Sequence, residues 1–400
     1  MPAPDRMTAN EWRATTSLAS IFGLRMLGMF LILPVFAVHA RSMPGGDSPT
    51  LVGLAIGIYG LTQGFLQIPF GLASDRYGRK RVIAIGLSIF ALGSLVAAAA
   101  PTVGWIAVGR ALQGAGAISA AVTALIADCT RDSQRTKAMA VVGSSIGLTF
   151  ALSLVGAPVL YRLIGMPGIF VMTAVLSVGA IGVVRWVVPD PPPEAVAQAK
   201  GKVRFREVLV DPQLLRLNLG IFTLHLVQMS MFVVVPGMLV DVGGLTLTQH
   251  WQVYLPVVLA SFVIMVPIIV VMERKQLNRI VFMGSIGLLA LVALALMEVG
   301  SALTIAAALL AFFVGFNLLE AMLPSLISRC APPAAKGAAM GVYNTTQSLG
   351  LAAGGVLGGW LVQHHGGQSV FVMSFVLLVV WLGVATGMRW TGVAQAAAAH

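Results

Sequence analysis

Charge is scarce in this 400-residue chain: Asp, Glu, Lys and Arg make up 10% of it, against roughly 25% in a soluble domain. So few charges cannot coat a soluble body of this size, which excludes a soluble enzyme, a disordered chain and a free nucleic-acid binder. Acids are the scarcer sign, 14 against 25 bases, for a net charge of +11. Cysteine is nearly absent. Cys129 and Cys330 lie far apart in the chain, form neither a metal-ligand spacing nor a disulfide framework, and read as small apolar fillers. Also missing are a nucleophile triad, a metal-ligand cluster, a phosphate-cradling loop and any polar stretch long enough for a catalytic domain. Neither an enzyme nor a bound metal or cofactor is therefore expected. A cleavable leader is missing too, because residues 1–14 are polar and the first apolar run is too long.

What is present is apolar: 58% of the chain is hydrophobic, enough for about a dozen helices of the ~20 residues that cross a bilayer. Long runs fall at 15–40, 50–73, 81–100, 104–129, 137–161 and 168–188, then at 213–240, 250–272, 280–299, 302–328, 337–363 and 368–388. Ten-residue alternating segments, the mark of a membrane barrel, do not occur, and a lipid-exposed backbone must satisfy its own hydrogen bonds. The expected fold is therefore an all-α membrane protein of twelve spans. Glycine (44 residues) recurs at small-xxx-small spacing, as at Gly53/Gly57, Gly143/Gly147 and Gly350/Gly354/Gly358, which lets helices approach closely in lipid.

The basic residues orient these spans. With the N-terminus cytoplasmic, 21 of the 25 Lys and Arg fall in cytoplasmic segments; Arg41 and Arg162 fall opposite, and Arg25 and Arg110 lie within spans. This is a positive-inside pattern. It places both termini in the cytoplasm and accounts for the +11 without a nucleic-acid partner. Residues 189–212, PDPPPEAVAQAKGKVRFREVLVDP, are the longest polar stretch and open with prolines that cannot continue a helix. They are read as a cytoplasmic linker between a bundle at 1–188 and a second at 213–400, and Lys202–Val210, which alternates charged and apolar residues, suits a membrane surface. Pro69, Asp75, Arg76, Arg81 and Val82 recur 198 positions later as Pro267, Glu273, Arg274, Arg279 and Ile280. A constant register of this kind suggests duplicated halves, one known way to build a secondary transporter.

Residues 71–81, GLASDRYGRKR, join spans two and three. Gly71, Asp75, Arg76, Gly78, Arg79 and Lys80 match the G-x-x-x-D-[RK]-x-G-[RK]-[RK] signature, and the stretch resembles that loop of the major facilitator superfamily. An ordinary positive-inside loop would explain the bases but not Asp75 and both glycines at these spacings. The resemblance implies two six-helix bundles, transport by alternating access, and a conformational latch in which Asp128, at the end of span four, pairs with the Asp75–Arg79 segment. Arg110 and Gln113 in span four resemble the family's R-x-x-Q-G motif, whose arginine lies near the coupling path in proton-linked members. A glycine pattern of efflux members is met only in part, at Gly147, Gly156 and Pro158. Arg25 to Pro34 in span one, Phe316 to Leu326 in span ten and Gly341 to Gln347 in span eleven are similar to the YajR-type subgroup of bacterial drug/proton antiporter-like permeases. The best-known member of that subgroup continues into a small soluble domain, whereas this sequence stops about a dozen residues after span twelve, and Ala396–His400 reads as an appended scar.

Ionisable groups at membrane depth are costly and mark cavities or pathways. Arg25 serves either a cavity or coupling role, or a buried contact between spans. Glu320, the one acid near the middle of a span, shares a helix face with Asn317. It either carries the coupling proton or makes a structural pair, with Arg25 a candidate partner. His225 and Gln228 in span seven, Gln63 and Gln67 in span two, and Asn344 and Gln347 in span eleven are cavity-lining candidates, or else hold helices together. The expected function is secondary active transport in a bacterial inner membrane, as a monomer. Protons would drive export of a small amphipathic or drug-like compound; proton-linked import of a small metabolite is the alternative. A channel would need a repeated pore-lining pattern, and none is seen.

Overall fold

The protein is described from a computed structural model over residues 6–190, 205–332 and 335–390. Of the expected linker, residues 191–204 lie outside this range, as does the tail at Ala396–His400. Among the described residues the regular structure is helical. In chain order come α1 (Ala9–Phe30), α2 (Leu33–Ala40), α3 (Pro49–Tyr77), α4 (Arg79–Ala98), α5 (Val103–Ala115), α6 (Ser119–Cys129) and α7 (Asp132–Gly182). They are followed by α8 (Phe205–Val210), α9 (Pro212–Asp241), α10 (Trp251–Arg274), α11 (Asn278–Ala295), α12 (Ala302–Cys330), α13 (Lys336–His365) and α14 (Gln368–Thr386). Ten stretches, α1 and α2 or α5 and α6 counting as one each, are long and apolar enough to cross a membrane. The 51-residue α7 holds two spans. The twelfth is α13, whose apolarity is diluted by glycine, Asn344 and Gln347.

Four details differ from the sequence expectation, each with a local cause. Spans five and six are two helices that meet at a tight junction rather than a longer loop: the helical backbone breaks at Gly165 (φ +65°, ψ −179°), two residues before Pro167. Only glycine takes that backbone at little cost. Span one is interrupted between Phe30 and Leu33, where Pro34 has no N–H to continue the ladder. Span four is interrupted at residues 116–118. There Gly114 packs on Tyr59 and Thr62, and Gly116 on Gly86, so closely that a methyl group at either position would overlap those atoms. The signature stretch is not chiefly loop: Gly71, Asp75 and Arg76 lie in α3, Arg79 and Lys80 open α4, and only Gly78 (φ +96°) turns between them.

Large apolar side chains are exposed on nearly every span, among them Phe65, Trp186, Val263, Leu291 and Leu303. A soluble protein leaves no such surface uncovered; a bilayer covers it. The first six and last six spans meet mainly where α3 lies along α13. Gly53, Gly57 and Gly60 face Gly355, Gly359, Ala352 and Ser348 nearly backbone to backbone. A methyl group on Gly57 would come 2.7 Å from the Ala352 carbonyl oxygen, and one on Gly60 would come 2.5 Å from that of Ser348. This seam ends at Gly64, against Ser348 and Leu349. Beyond it, toward the end carrying Arg79, Lys80 and Arg131 (the basic end), the helices part. Gly341 and Gly337 have nothing within contact of an added methyl, and Ile68 and Leu72 are exposed.

The far end is further tied across the two halves. Arg41 grips Asp241 through two hydrogen bonds of 2.9 and 2.8 Å, and Gln363 Oε1 accepts from Ser48 Oγ at 3.0 Å and from Thr50 N at 3.2 Å. Phe150 of α7 packs against Phe30 at a ring-centroid distance of 5.0 Å, and against Phe313, Phe316 and Phe232 of the other half at 5.9, 6.1 and 6.4 Å. The molecule is closed at the far end and splayed at the basic end. Overfilling the seam with Gly57→Val costs the closed arrangement roughly 1–3 kcal/mol. Spin labels at Asp47 and His365, both exposed at the far end, are expected to show a longer distance component in that variant. An unchanged distribution would mean that the seam does not hold this end shut.

Candidate functional site: two polar clusters at the apex of the gap

The polar residues singled out in the sequence gather in two places on opposite walls. In the first six spans, Arg25 Nη1 donates to Ser119 Oγ at 2.9 Å and Nη2 to Gln63 Oε1 at 3.2 Å, joining α1, α6 and α3. Behind it, Arg110 Nη1 donates to Gln113 Oε1 at 2.8 Å and to the Gly28 carbonyl at 3.3 Å, and Gln113 Nε2 donates to Ser94 Oγ at 2.8 Å. Tyr59 lies between the two guanidiniums, whose carbons are 5.6 Å (Arg25) and 4.7 Å (Arg110) from its ring centroid, a cation–π distance. Arg25 thus partners Ser119 and Gln63, and the Arg25–Glu320 pair weighed above is not formed.

In the last six spans, α9, α12 and α13 converge on Glu320. Gln347 Nε2 lies 2.8 Å from His225 Nε2 and donates to Glu320 Oε1 at 3.3 Å. His225 Nδ1 is 3.2 Å from the Ile221 carbonyl. That carbonyl fixes the ring proton on Nδ1 and leaves Nε2 as acceptor for Gln347. Glu320 Oε2 has no hydrogen-bond partner among the described residues and stands 3.7 Å from His225 Nε2. One helical turn from Glu320, Asn317 Nδ2 donates to Ser261 Oγ at 3.2 Å, tying α12 to α10. Gln228 is buried on α9 with its Oε1 unbonded, outside this triad, and Asn344 is half-buried one turn from Gln347. Gln347 adjoins Ser348 and Gln63 adjoins Gly64, the last points of the α3–α13 seam. Both clusters therefore sit at the level where the gap begins.

The signature residues form a third cluster at the basic end. Arg79 pairs with Asp75, one turn back, while its Nε donates to Asp128 Oδ2 at 3.0 Å and its Nη1 to Ser74 Oγ at 2.7 Å. Lys80 Nζ reaches the Val188 carbonyl and Asp190, each at 2.6 Å. Each of these partners precedes residue 191, and among the described residues none comes from α13 opposite. Arg76 instead lies over the Tyr77 ring. Tyr59, Ser119, Ser261, Arg41, Asp241 and Gln363 were not singled out in the sequence. Nothing in their spacing marks them; only the packing of distant spans brings them to the sites.

This architecture is shared with known proteins. A sequence profile described as Major Facilitator Superfamily matches residues 17–355 and 278–398, and the chain belongs to that family of transporters; it is not an enzyme. Among curated relatives it is similar to the inner membrane transport protein YajR of Escherichia coli K12, 46% identical over 387 residues, covering 96% of this chain and 85% of that one. It is more distantly similar to the multidrug resistance protein MdtH of Yersinia enterocolitica, 26% identical over 381 residues, covering 92% and 91%. Among solved structures, a bacterial homologue of the human lysosomal transporter Spinster superposes with a TM-score of 0.77 at 12% identity, over 97% of this chain and 99% of that one.

Removing Arg79 leaves two carboxylates without their partner, and Asp128 is the more enclosed, its side chain 11% exposed against 58% for Asp75. Arg79→Gln is expected to lower the thermal unfolding midpoint in detergent by the equivalent of about 1–3 kcal/mol. Asp75→Asn, at an exposed pair, is expected to cost at most about 1 kcal/mol. Equal effects would mean that Asp128 is not held by Arg79.

Proposed function

We infer that this transporter exports a small amphipathic compound across a bacterial inner membrane in exchange for protons. The observation that carries the reading is Glu320: an acid at membrane depth, one oxygen unbonded, held between His225 and Gln347 where the gap begins. Such a carboxyl is expensive to keep as a purely structural group, and an imidazole within reach supplies a second protonatable site. A proton on Glu320 changes both its charge and its donor set toward Gln347. That is a local event able to bias two packings of α12 and α13. The positive-inside distribution puts the basic end in the cytoplasm, so the gap faces inward and the seam closes the periplasmic side. The multidrug resistance protein MdtH, a distant relative, supports the export direction and the drug-like substrate.

The signature cluster fits a latch for the opposite state. With the gap open, Asp75, Arg79 and Asp128 engage one another within the first half, and among the described residues no α13 side chain pairs with them. Closing the gap would bring α13 against this segment. The pair Asp75–Asp128, bridged by Arg79, is placed to hold it there.

In proteoliposomes carrying a pH gradient, flux of a thermal-shift hit toward the acidic side is expected for the wild type. Glu320→Gln is expected to abolish gradient-driven flux while leaving substrate binding within a few-fold. Gradient-driven flux at the wild-type rate in Glu320→Gln removes the proton role from this residue. Co-movement of compound and protons replaces export with import.

A further inference from the structure

Two arginines lie within the spans, and neither has an acid. Arg25 is 1% exposed and Arg110 fully buried, yet among the described residues no carboxylate is within ion-pair distance of either. All their acceptors are neutral: a serine hydroxyl, two glutamine carboxamides and one backbone carbonyl. A guanidinium carries five N–H donors. Among the described residues the Nε of both arginines and Nη2 of Arg110 have no acceptor, and the Tyr59 hydroxyl has no partner.

A second source of positive potential points at the same place. The interruption of span four makes Ser119 the first residue of an 11-residue half-helix, and its N-cap, Ile118, supplies no side-chain cap. The first-turn N–H groups of such a helix lack intrahelical partners, and its N-terminus carries about half a positive charge. Arg25 bonds to Ser119 itself, so the guanidinium and the helix end converge on one point. Positive charge accumulated in the membrane interior with nothing of opposite sign is costly. An anion would complete the arrangement.

The place lies at the level of the gap and is covered in this state, Gln63 being 6% and Ser119 2% exposed, so an anion enters only as Gln63 moves aside. Gln63, which accepts from Arg25 Nη2, is one residue from Gly64, where α3 and α13 last touch. The opposite wall at this level carries Gln347 and Glu320. Gln63 offers Arg25 a neutral oxygen, and a charge-assisted hydrogen bond is about twice as strong as a neutral one. An oxyanion arriving at the apex would therefore displace the carboxamide.

We propose that Arg25 and the N-terminus of α6 form the anion subsite of the transported compound, which is thus an organic anion: an apolar body bearing a carboxylate or a similar oxyanion. Arg110 is a positioning residue. It is fixed by Gln113 and Gly28 and adds positive potential through Tyr59 without touching the ligand. The proposal rests on the transport reading above and narrows its substrate class.

The test uses the purified full chain in detergent at constant ionic strength. The probes are benzoate and 2-naphthoate, their neutral amides, and benzyltrimethylammonium as the cation. Calorimetry and thermal shift are expected to show both carboxylates binding at least about 10-fold more tightly than the amides, with no binding of the cation at this site. Arg25→Gln is expected to erase the carboxylate preference, Arg25→Lys to keep part of it, and Gln63→Ala to leave it equal or stronger by removing the competing acceptor. Should Arg25→Gln fail to fold, Arg25→Lys and Ser119→Ala carry the test, each lowering the carboxylate-to-amide ratio. An arginine that only holds helices together would lower the melting temperature and leave that ratio unchanged. Carboxylates binding no better than amides, or a preference that survives Arg25 replacement, overturns the proposal. The two readings separate in proteoliposomes. Proton-driven flux of neutral or cationic compounds unaffected by Arg25→Gln leaves export standing and removes the anion subsite. Carboxylate binding without flux of any compound does the reverse.

Discussion

Two helices from opposite halves touching backbone to backbone is the contact on which the central geometry depends. It is possible only because α3 and α13 present glycine, alanine or serine at each crossing, at Gly53, Gly57 and Gly60 on one side and at Ser348, Ala352, Gly355 and Gly359 on the other. In lipid there is no hydrophobic drive to bring helices together, so close van der Waals fit and backbone polarity hold them. The seam stops at Gly64. That single position sets the depth at which the gap begins, and Gln63 with Arg25, and Gln347 with Glu320, lie at that level in their own halves.

Why the polar groups sit there follows from the same contact. A buried charge needs partners, and a bilayer offers none. At this depth the buried polar groups find their partners on neighbouring spans. The two walls solve the problem differently. On one, Glu320 is placed within reach of groups that can take or give a proton. On the other, Arg25 and Arg110 cannot lose theirs and are held by neutral oxygens and by the face of Tyr59. The walls are thus unlike: one can change its charge and the other cannot. On the proposals above, a ligand between them would meet a fixed cationic side and an acidic side able to take up a proton.

How much of this could be read from residue order divides along physical lines. Hydrophobic runs, the basic count and the Gly71–Lys80 motif are local properties, and they gave the spans, their number and the family. Arg25, Arg110 and Glu320 stood out for the same reason, since a charge inside an apolar run is visible without a structure. The partners were not visible. Arg25 might have met Glu320 by charge alone; it meets Ser119 because span four breaks at Gly116, and that break arises from packing on Gly86 rather than from any proline. The junction of spans five and six, expected between residues 161 and 168, falls at Gly165. α13 reads as the least apolar span because its glycines and amides serve the seam and the triad, and that same composition keeps it below the apolarity expected of a spanning helix.

The two ends of the molecule are closed by different forces, and this bears on how it can cycle. At the far end the seam is packing, supplemented by Arg41 and Asp241, an exposed pair whose side chains are 50% and 56% accessible; such a pair contributes about 0–1 kcal/mol. At the basic end the Asp75–Arg79–Asp128 cluster is ionic and partly enclosed, and it is fully satisfied within one half while the gap is open. Opening the seam therefore loses mostly dispersion contacts, whereas closing the basic end requires a helix to compete for charges that already have partners. Neither closure can be made very strong without trapping the molecule. An equilibrium moved from 1:99 to 99:1 needs only about 5.5 kcal/mol of differential binding. On the transport reading proposed above, a proton on Glu320 and a ligand between the two walls would both act at the level where the halves last touch.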